Sequence, residues 1–174
     1  ADGGRGLDGR SFLGVLLGTS SRHRDHVYGV HTTRGIINGS PTYPVRSVRS
    51  TRFKYIRNLS WESTFTNAVT RKGGVLSSWK RAAGKSRARA EAYQRRPAEE
   101  LYDLEKDPWE LHNLADDPAH QATKTALGAK LDAWMSQQGD RGLETELQAR
   151  ERQGRGERNR RQGQGRRRQR RGRK

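Results

Sequence analysis

Apolar residues in this chain come in short, separated groups, and each group points to one element. In "SFLGVLLG", Phe12, Leu13, Leu16 and Leu17 fall on one face of a helix predicted from about Ser11 to Leu17. Gly18 stands where a C-terminal cap would sit. That face is an apolar patch looking for a partner. "DHVYGVHTT" alternates and is rich in β-formers, which predicts a strand. "RGIINGSPTYP", with Asn38-Gly39 and two prolines, predicts a long loop. "VRSVRSTRFKYIRNL" reads as two strands joined by a tight turn near Ser50-Thr51. Phe53 and Tyr55 share one face of the second strand, and Lys54 and Ile56 share the other. Arginines interleaved with apolar residues suggest a sheet with one wet face.

The pattern weakens from Ser60 to Arg96. "WESTFTNAVTRKGG" reads as a loop, and "VLSSWKRAAGKSRARAEAYQRR" as helical, with Gly84 a weak point and Pro97 the stop. "EELYDL" predicts a short strand with Leu101 and Tyr102 on opposite faces. Asp107 is placed to cap a short helix opening at Pro108, with Trp109, Leu111 and Leu114 as its buried contacts. Asp116 and Asp117 offer a second cap before Pro118. After it, Leu127, Leu131 and Trp134 recur at helical spacing, with a stop near Gln138 and Gly139 beyond it. The fold class is therefore α+β: a small antiparallel sheet of about four strands, near Asp25, Val45, Phe53 and Leu101, with a C-terminal helix on one face.

Composition limits the core. Only 30% of the 174 residues are hydrophobic and 32% are charged, enough for one domain that stops short of the chain's full length. The absence of cysteine excludes a disulfide framework, a thiolate metal site and a Cys nucleophile. No run approaches the ~18 apolar residues of a membrane span, and no secretory apolar segment is present. The first residue is Ala, and the only methionine is Met135, so the chain reads as a piece of something longer. Its formal net charge is +17, of which 13 Lys/Arg and 2 Asp/Glu between Arg150 and Lys174 supply +11. This stretch has no apolar residue, and everything from residue 141 to 174 is expected to be a disordered Arg/Gly/Gln-rich tail.

"DGRSFLGVLLG", "YPVRSVRSTRFKYIRNL" and "EELYDLEKDPWELHNLADDP", in that order and spacing, resemble the C-terminal region of a type I sulfatase. "GVHTTRGIINGSPTYPVRSVRS" and "TFTNAVT" resemble most closely bacterial sulfatases related to heparan N-sulfatase (sulfamidase). The resemblance covers residues from about Leu7 to Asp140. It implies that residues 1–18 end a catalytic-domain segment, 19–140 form the C-terminal domain and 141–174 the tail. The family's catalytic chemistry uses formylglycine, made from the first residue of a C/S-x-P-S-R motif, and calcium held by paired Asp and Asn. No such motif occurs here, so both cofactors are expected only in a catalytic domain outside this chain. This chain alone should hydrolyse nothing, and no residue in it is assigned a catalytic role. By the same analogy, the whole protein is expected to be periplasmic or secreted, and no membrane partner is expected.

In such sulfatases the loop after the first strand of the small domain packs at the active-site mouth. Here that loop is His31 to Pro44, and the resemblance points to His31, Arg34 and Arg46 as substrate-binding candidates for a sulfated glycan. Arg suits that task because its fork grips sulfate or carboxylate bidentately. Each competes with an ordinary loop histidine or a solvated arginine on a wet sheet face. His23, Asp25 and His26 in "HRDH" invite a metal-site reading, but three ligands so close in sequence rarely converge. The alternative function is a non-catalytic polyanion-binding module, gripping RNA or heparin nonspecifically through the tail. Codon drift past the last useful helix, or tethering of a sulfated polymer, would also account for that tail.

Overall fold

The computed structural model describes residue 9 and residues 11–32, 43–70, 74–82 and 84–148. Four strands, β1 (Val27–His31), β2 (Val45–Arg49), β3 (Phe53–Asn58) and β4 (Glu99–Asp103), form one antiparallel sheet in sequence order. The β2–β3 turn sits where it was expected, closed by Ser50, whose Oγ accepts from the Phe53 N–H at 2.9 Å. Register sets the two faces. Tyr28, Val48, Tyr55 and Leu101 lie opposite one another across the sheet, so their side chains share one face.

A single long helix covers that face. Preceding it are α1 (Leu13–Leu16), α2 (Val75–Arg81) and α3 (Lys85–Gln94), and the long one is α4 (Gln121–Gln137). Asp117 caps the 3-10 turn Pro118–His120 that leads into it, accepting the Ala119 N–H at 2.9 Å. Leu127, Leu131 and Met135 of α4 close over Val48, Tyr55 and Leu101, and Trp134 stacks on Tyr28 with ring centroids 4.9 Å apart. The helix ends at Gly139, whose φ of 64° lets the Asp140 N–H reach back to the Met135 carbonyl at 2.8 Å. Meanwhile α2 and α3 are separated at Gly84, again in the left-handed region.

Three elements depart from expectation. Residues after Asp107 form no helix: the Asp107 carboxylate accepts from the His112 N–H at 2.7 Å, and Glu110 takes a φ of 54°. Trp109 is 80% exposed and Leu111 is exposed too, so of the three expected contacts only Leu114 meets the core. The segment's work is done by Asn113, which accepts from the Leu101 N–H and donates to the Glu99 carbonyl. It stands in for a fifth strand along the edge of β4. Second, α1 buries no residue, and Phe12, Leu13, Leu16 and Leu17 are all exposed, in keeping with the uncovered patch. Third, α5 (Leu143–Leu147) forms inside the stretch expected to carry no structure. Its two leucines remain exposed, so charge rather than apolar burial holds it. Residues 149–174 lie outside the described residues.

Candidate functional site

The end of the sheet where β1 stops and β2 starts gathers most of the candidates. His31 is the last residue of β1 and pairs with Val45, while Arg46 lies opposite Val30. Adjacent residues of a strand point to opposite faces, so the His31 and Arg46 side chains do not converge. They are linked through backbone instead: Arg46 Nη1 donates to the carbonyls of His31 at 3.4 Å and Val45 at 3.1 Å. Arg34 lies outside the described residues.

Arg46 is 1% exposed, and its remaining donors are also taken. Nε reaches Asp140 Oδ2 at 2.5 Å, while Nη2 reaches Asp140 Oδ1 at 3.3 Å and Glu146 Oε1 at 2.7 Å. All five N–H groups of the guanidinium are therefore occupied. The helix end described above delivers Asp140, and α5 delivers Glu146. This guanidinium ties two helix ends to the strand that carries His31.

The Asp140 pair has a pH consequence. Burial raises the Asp140 pKa, but the Arg46 guanidinium and the Gly142 N–H outweigh it and hold the carboxyl below its ordinary value. A depressed carboxylate stabilises the fold above its unfolded pKa of about 3.9 and loses that contribution as pH falls through the folded value. We expect the link between α4 and α5, where Asp140 binds Arg46 and accepts the Gly142 N–H, to loosen below about pH 4, in the window between those two values. Pepsin cleavage between Gly139 and Leu143 should rise on acidification before the sheet core opens; unchanged protection would show that the Asp140–Arg46 pair does not hold this link.

On the opposite face of the sheet, His31 belongs to an aromatic cluster centred on Phe65, which is 5% exposed. Around that ring stand His31 at 5.9 Å, Tyr43 at 5.1 Å and Tyr93 at 5.5 Å, centroid to centroid. The Arg96 guanidinium lies 4.5 Å from the Phe65 centroid and 5.2 Å from that of Tyr93. Phe65 is pinned by its N–H to the Gln94 carbonyl at 2.8 Å, and Asn67 donates to the Tyr93 hydroxyl at 2.8 Å. Burial lowers the His31 pKa, Arg96 and Arg46 add to this, and Glu146 opposes it. Burial pushes the Tyr43 hydroxyl up, against the pull of Arg96. Tyr43, Phe65, Tyr93 and Arg96 were absent from the sequence-level candidates, because they fall in three segments with no shared periodicity.

The "HRDH" residues do not converge. Asp25 pairs with Arg22 at 2.9 Å, and the His23 ring packs edge-on against Phe12. Among the described residues, no group of three or more His, Asp or Glu could hold a metal ion.

No family model matches this chain. Two sulfatases of Formosa agariphila, each described as ulvan-active, do align with it. One is 39% identical over 134 residues and the other 30% identical over 140, each alignment taking in 77% of this chain. The chain is a relative of the sulfatases. It spans 25% and 22% of the lengths of these two proteins. Two solved structures, one of a Bacteroides thetaiotaomicron protein and one of a 2-O GAG sulfatase, share 24% identity each. They cover 76% of this chain and 21% of their own chains, with TM-scores of 0.48 and 0.47, too low to bear on function. The sequence has no cysteine and no S-x-P-S-R motif from which formylglycine could be made, and no acidic grouping among the described residues fits the calcium of sulfatase chemistry.

Proposed function

We propose that this chain is the C-terminal domain of a sulfatase acting on a sulfated glycan, completing a substrate cleft whose catalytic centre belongs to another domain. The observation that carries the reading is the 39% identity to an ulvan-active sulfatase, running through 77% of this chain but 25% of that protein. In this reading His31 and Arg34 border the cleft, Arg34 as an anion grip. Arg46 positions the His31 end of β1 through its backbone bonds. The heparan N-sulfatase-like subfamily, with a sulfamate as the cleaved group, is the finer assignment that the segments around "GVHTTRGIINGSPTYP" and "TFTNAVT" favour.

The test is a chimera in which residues 7–140 replace the matching segment of the 39% identical relative. It should hydrolyse ulvan and a small aryl sulfate. H31A and R34A should each lower kcat/KM on ulvan about tenfold, equal to ~1.4 kcal/mol, and spare the aryl sulfate, which reaches only the catalytic centre. Wild-type rates on ulvan in both variants would sink the cleft assignment. The +11 charge between Arg150 and Lys174 favours a second reading, polyanion binding by the tail. It predicts that heparin binding by the native chain disappears when residues 151–174 are deleted.

A further inference from the structure

Charge is unevenly shared along this chain, and the tail is not its only concentration. Residues 71–96 hold nine Lys/Arg and one Glu, a net +8, while the rest of the chain before Arg150 carries −2. Seven of the nine cations fall between Lys80 and Arg96, on α2, on α3 and just after it. The two helices pack on each other across the break at Gly84. Burial does not account for their composition. Leu76 is the one buried residue of α2, and Ala90 and Gln94, a turn apart, are those of α3. Lys85 and Arg89, also a turn apart, therefore lie on the opposite, outward side of α3. Lys80, Arg81, Lys85 and Arg89 are all exposed, and among the described residues none of their side chains has a hydrogen-bond or ion-pair partner. The segment's one acid, Glu91, is taken by Arg87 at 2.9 Å.

Such a row is unfavourable when nothing neutralises it. Lys85 and Arg89 are like charges at i and i+4, which repel across one helical turn. Lys85 and Arg87 also stand in the first turn of α3, where the helix's own field is positive and no acidic residue offsets it. Arg81 and Lys85 are four residues apart, and the ten residues of α3 carry the row on for about 15 Å. A polymer with repeated negative charge needs a row of this kind rather than a pocket, and it relieves the repulsion by shedding its own counterions. Trp79, exposed beside Lys80, adds a neutral ring face. We propose that the α2–α3 surface, through Lys80, Arg81, Lys85 and Arg89, binds along a sulfated polysaccharide. The choice of a sulfated glycan rests on the sulfatase reading above; the demand for a polyanion rests on the charge alone.

The experiment is calorimetric titration of the full chain with ulvan at several sodium chloride concentrations. K80Q/R81Q/K85Q/R89Q should lower the affinity about tenfold and flatten its salt dependence, because fewer counterions are released. R166Q/R167Q/R168Q/R170Q removes the same charge from the tail and should cost less than about threefold. Gln matches Lys and Arg in helix propensity, and the repulsion is relieved, so the first variant should keep or raise the wild-type urea midpoint. K85Q/R89Q, confined to the outward side of α3, should lose about threefold by itself. Equal losses in the two fourfold variants would mean that ulvan answers to net charge alone, and would overturn the surface. Tighter binding of poly(U) RNA than of ulvan by the wild-type chain would overturn the glycan as its occupant. Unchanged ulvan affinity in the α2–α3 variant, beside a working chimera, sinks this surface alone. Lost affinity in that variant, with H31A and R34A chimeras at wild-type rates, sinks the cleft assignment alone.

Discussion

Arg46→Ala should cost about 3–5 kcal/mol of folding stability, the penalty for breaking a buried ion pair from one side. The guanidinium is 1% exposed, and the side chains of its partners Asp140 and Glu146 are 10% and 8% exposed. Removing it strands two carboxylates where water reaches them poorly, and it frees the carbonyls of His31 and Val45. Arg46→Met, which fills the volume but supplies no charge, should recover little, because the carboxylates stay unpaired. Urea denaturation measures this directly, with Arg87→Ala as the reference. Arg87 pairs with Glu91 on the surface of α3, both side chains more than half exposed. Such a pair is worth ~0–1 kcal/mol. An Arg46→Ala loss no larger than that of Arg87→Ala would mean that the network does not hold the strand and helix ends together.

Leu131→Ala should cost about 2–5 kcal/mol. Leu131 is 0% exposed and sits at the centre of the cluster formed by Val48, Tyr55, Leu101, Leu127 and Met135. Truncation removes its transfer free energy and leaves a void between α4 and the sheet that those side chains fill only partly. Trp109→Ala is the informative comparison. Trp109 is the larger side chain, yet at 80% exposure its loss should stay within ~0.5 kcal/mol. The order of the two effects, read from denaturation midpoints, separates the observed turn after Asp107 from the helix that the sequence pattern predicted there. A Trp109→Ala variant as damaged as Leu131→Ala would restore the helix.

That helix shows where local reading reached its limit. Asp107-Pro108 carries proper starting chemistry, and Trp109, Leu111 and Leu114 have a plausible spacing. What overrides it is Asn113, whose side chain satisfies two backbone groups on the edge of β4 and draws the chain along that edge. A partner twelve residues away does not appear in any local window. The same holds for α5. Neither of its leucines is fully buried, and its anchor is Glu146 to an arginine a hundred residues earlier.

Arg46 and Arg96 divide along the same line. In sequence, Arg46 looked like an arginine on a wet sheet face, available to an anion, and Arg96 was one of many before a proline. Burial reverses their prospects. The first has every donor filled, and the second is stacked on aromatic rings with no carboxylate beside it among the described residues.

By itself, then, the sequence determined the α+β class, the four strands, the break at Gly84, the caps at Asp117 and Gly139 and the uncovered face of α1. Periodicity, turn residues and capping act over a few neighbours, so they are written where they act. Tertiary structure alone decided which arginine is saturated, which side chains gather around Phe65 and which strand α5 is tied to. Those outcomes depend on desolvation and on pairing between distant residues, and neither quantity exists until the chain has folded.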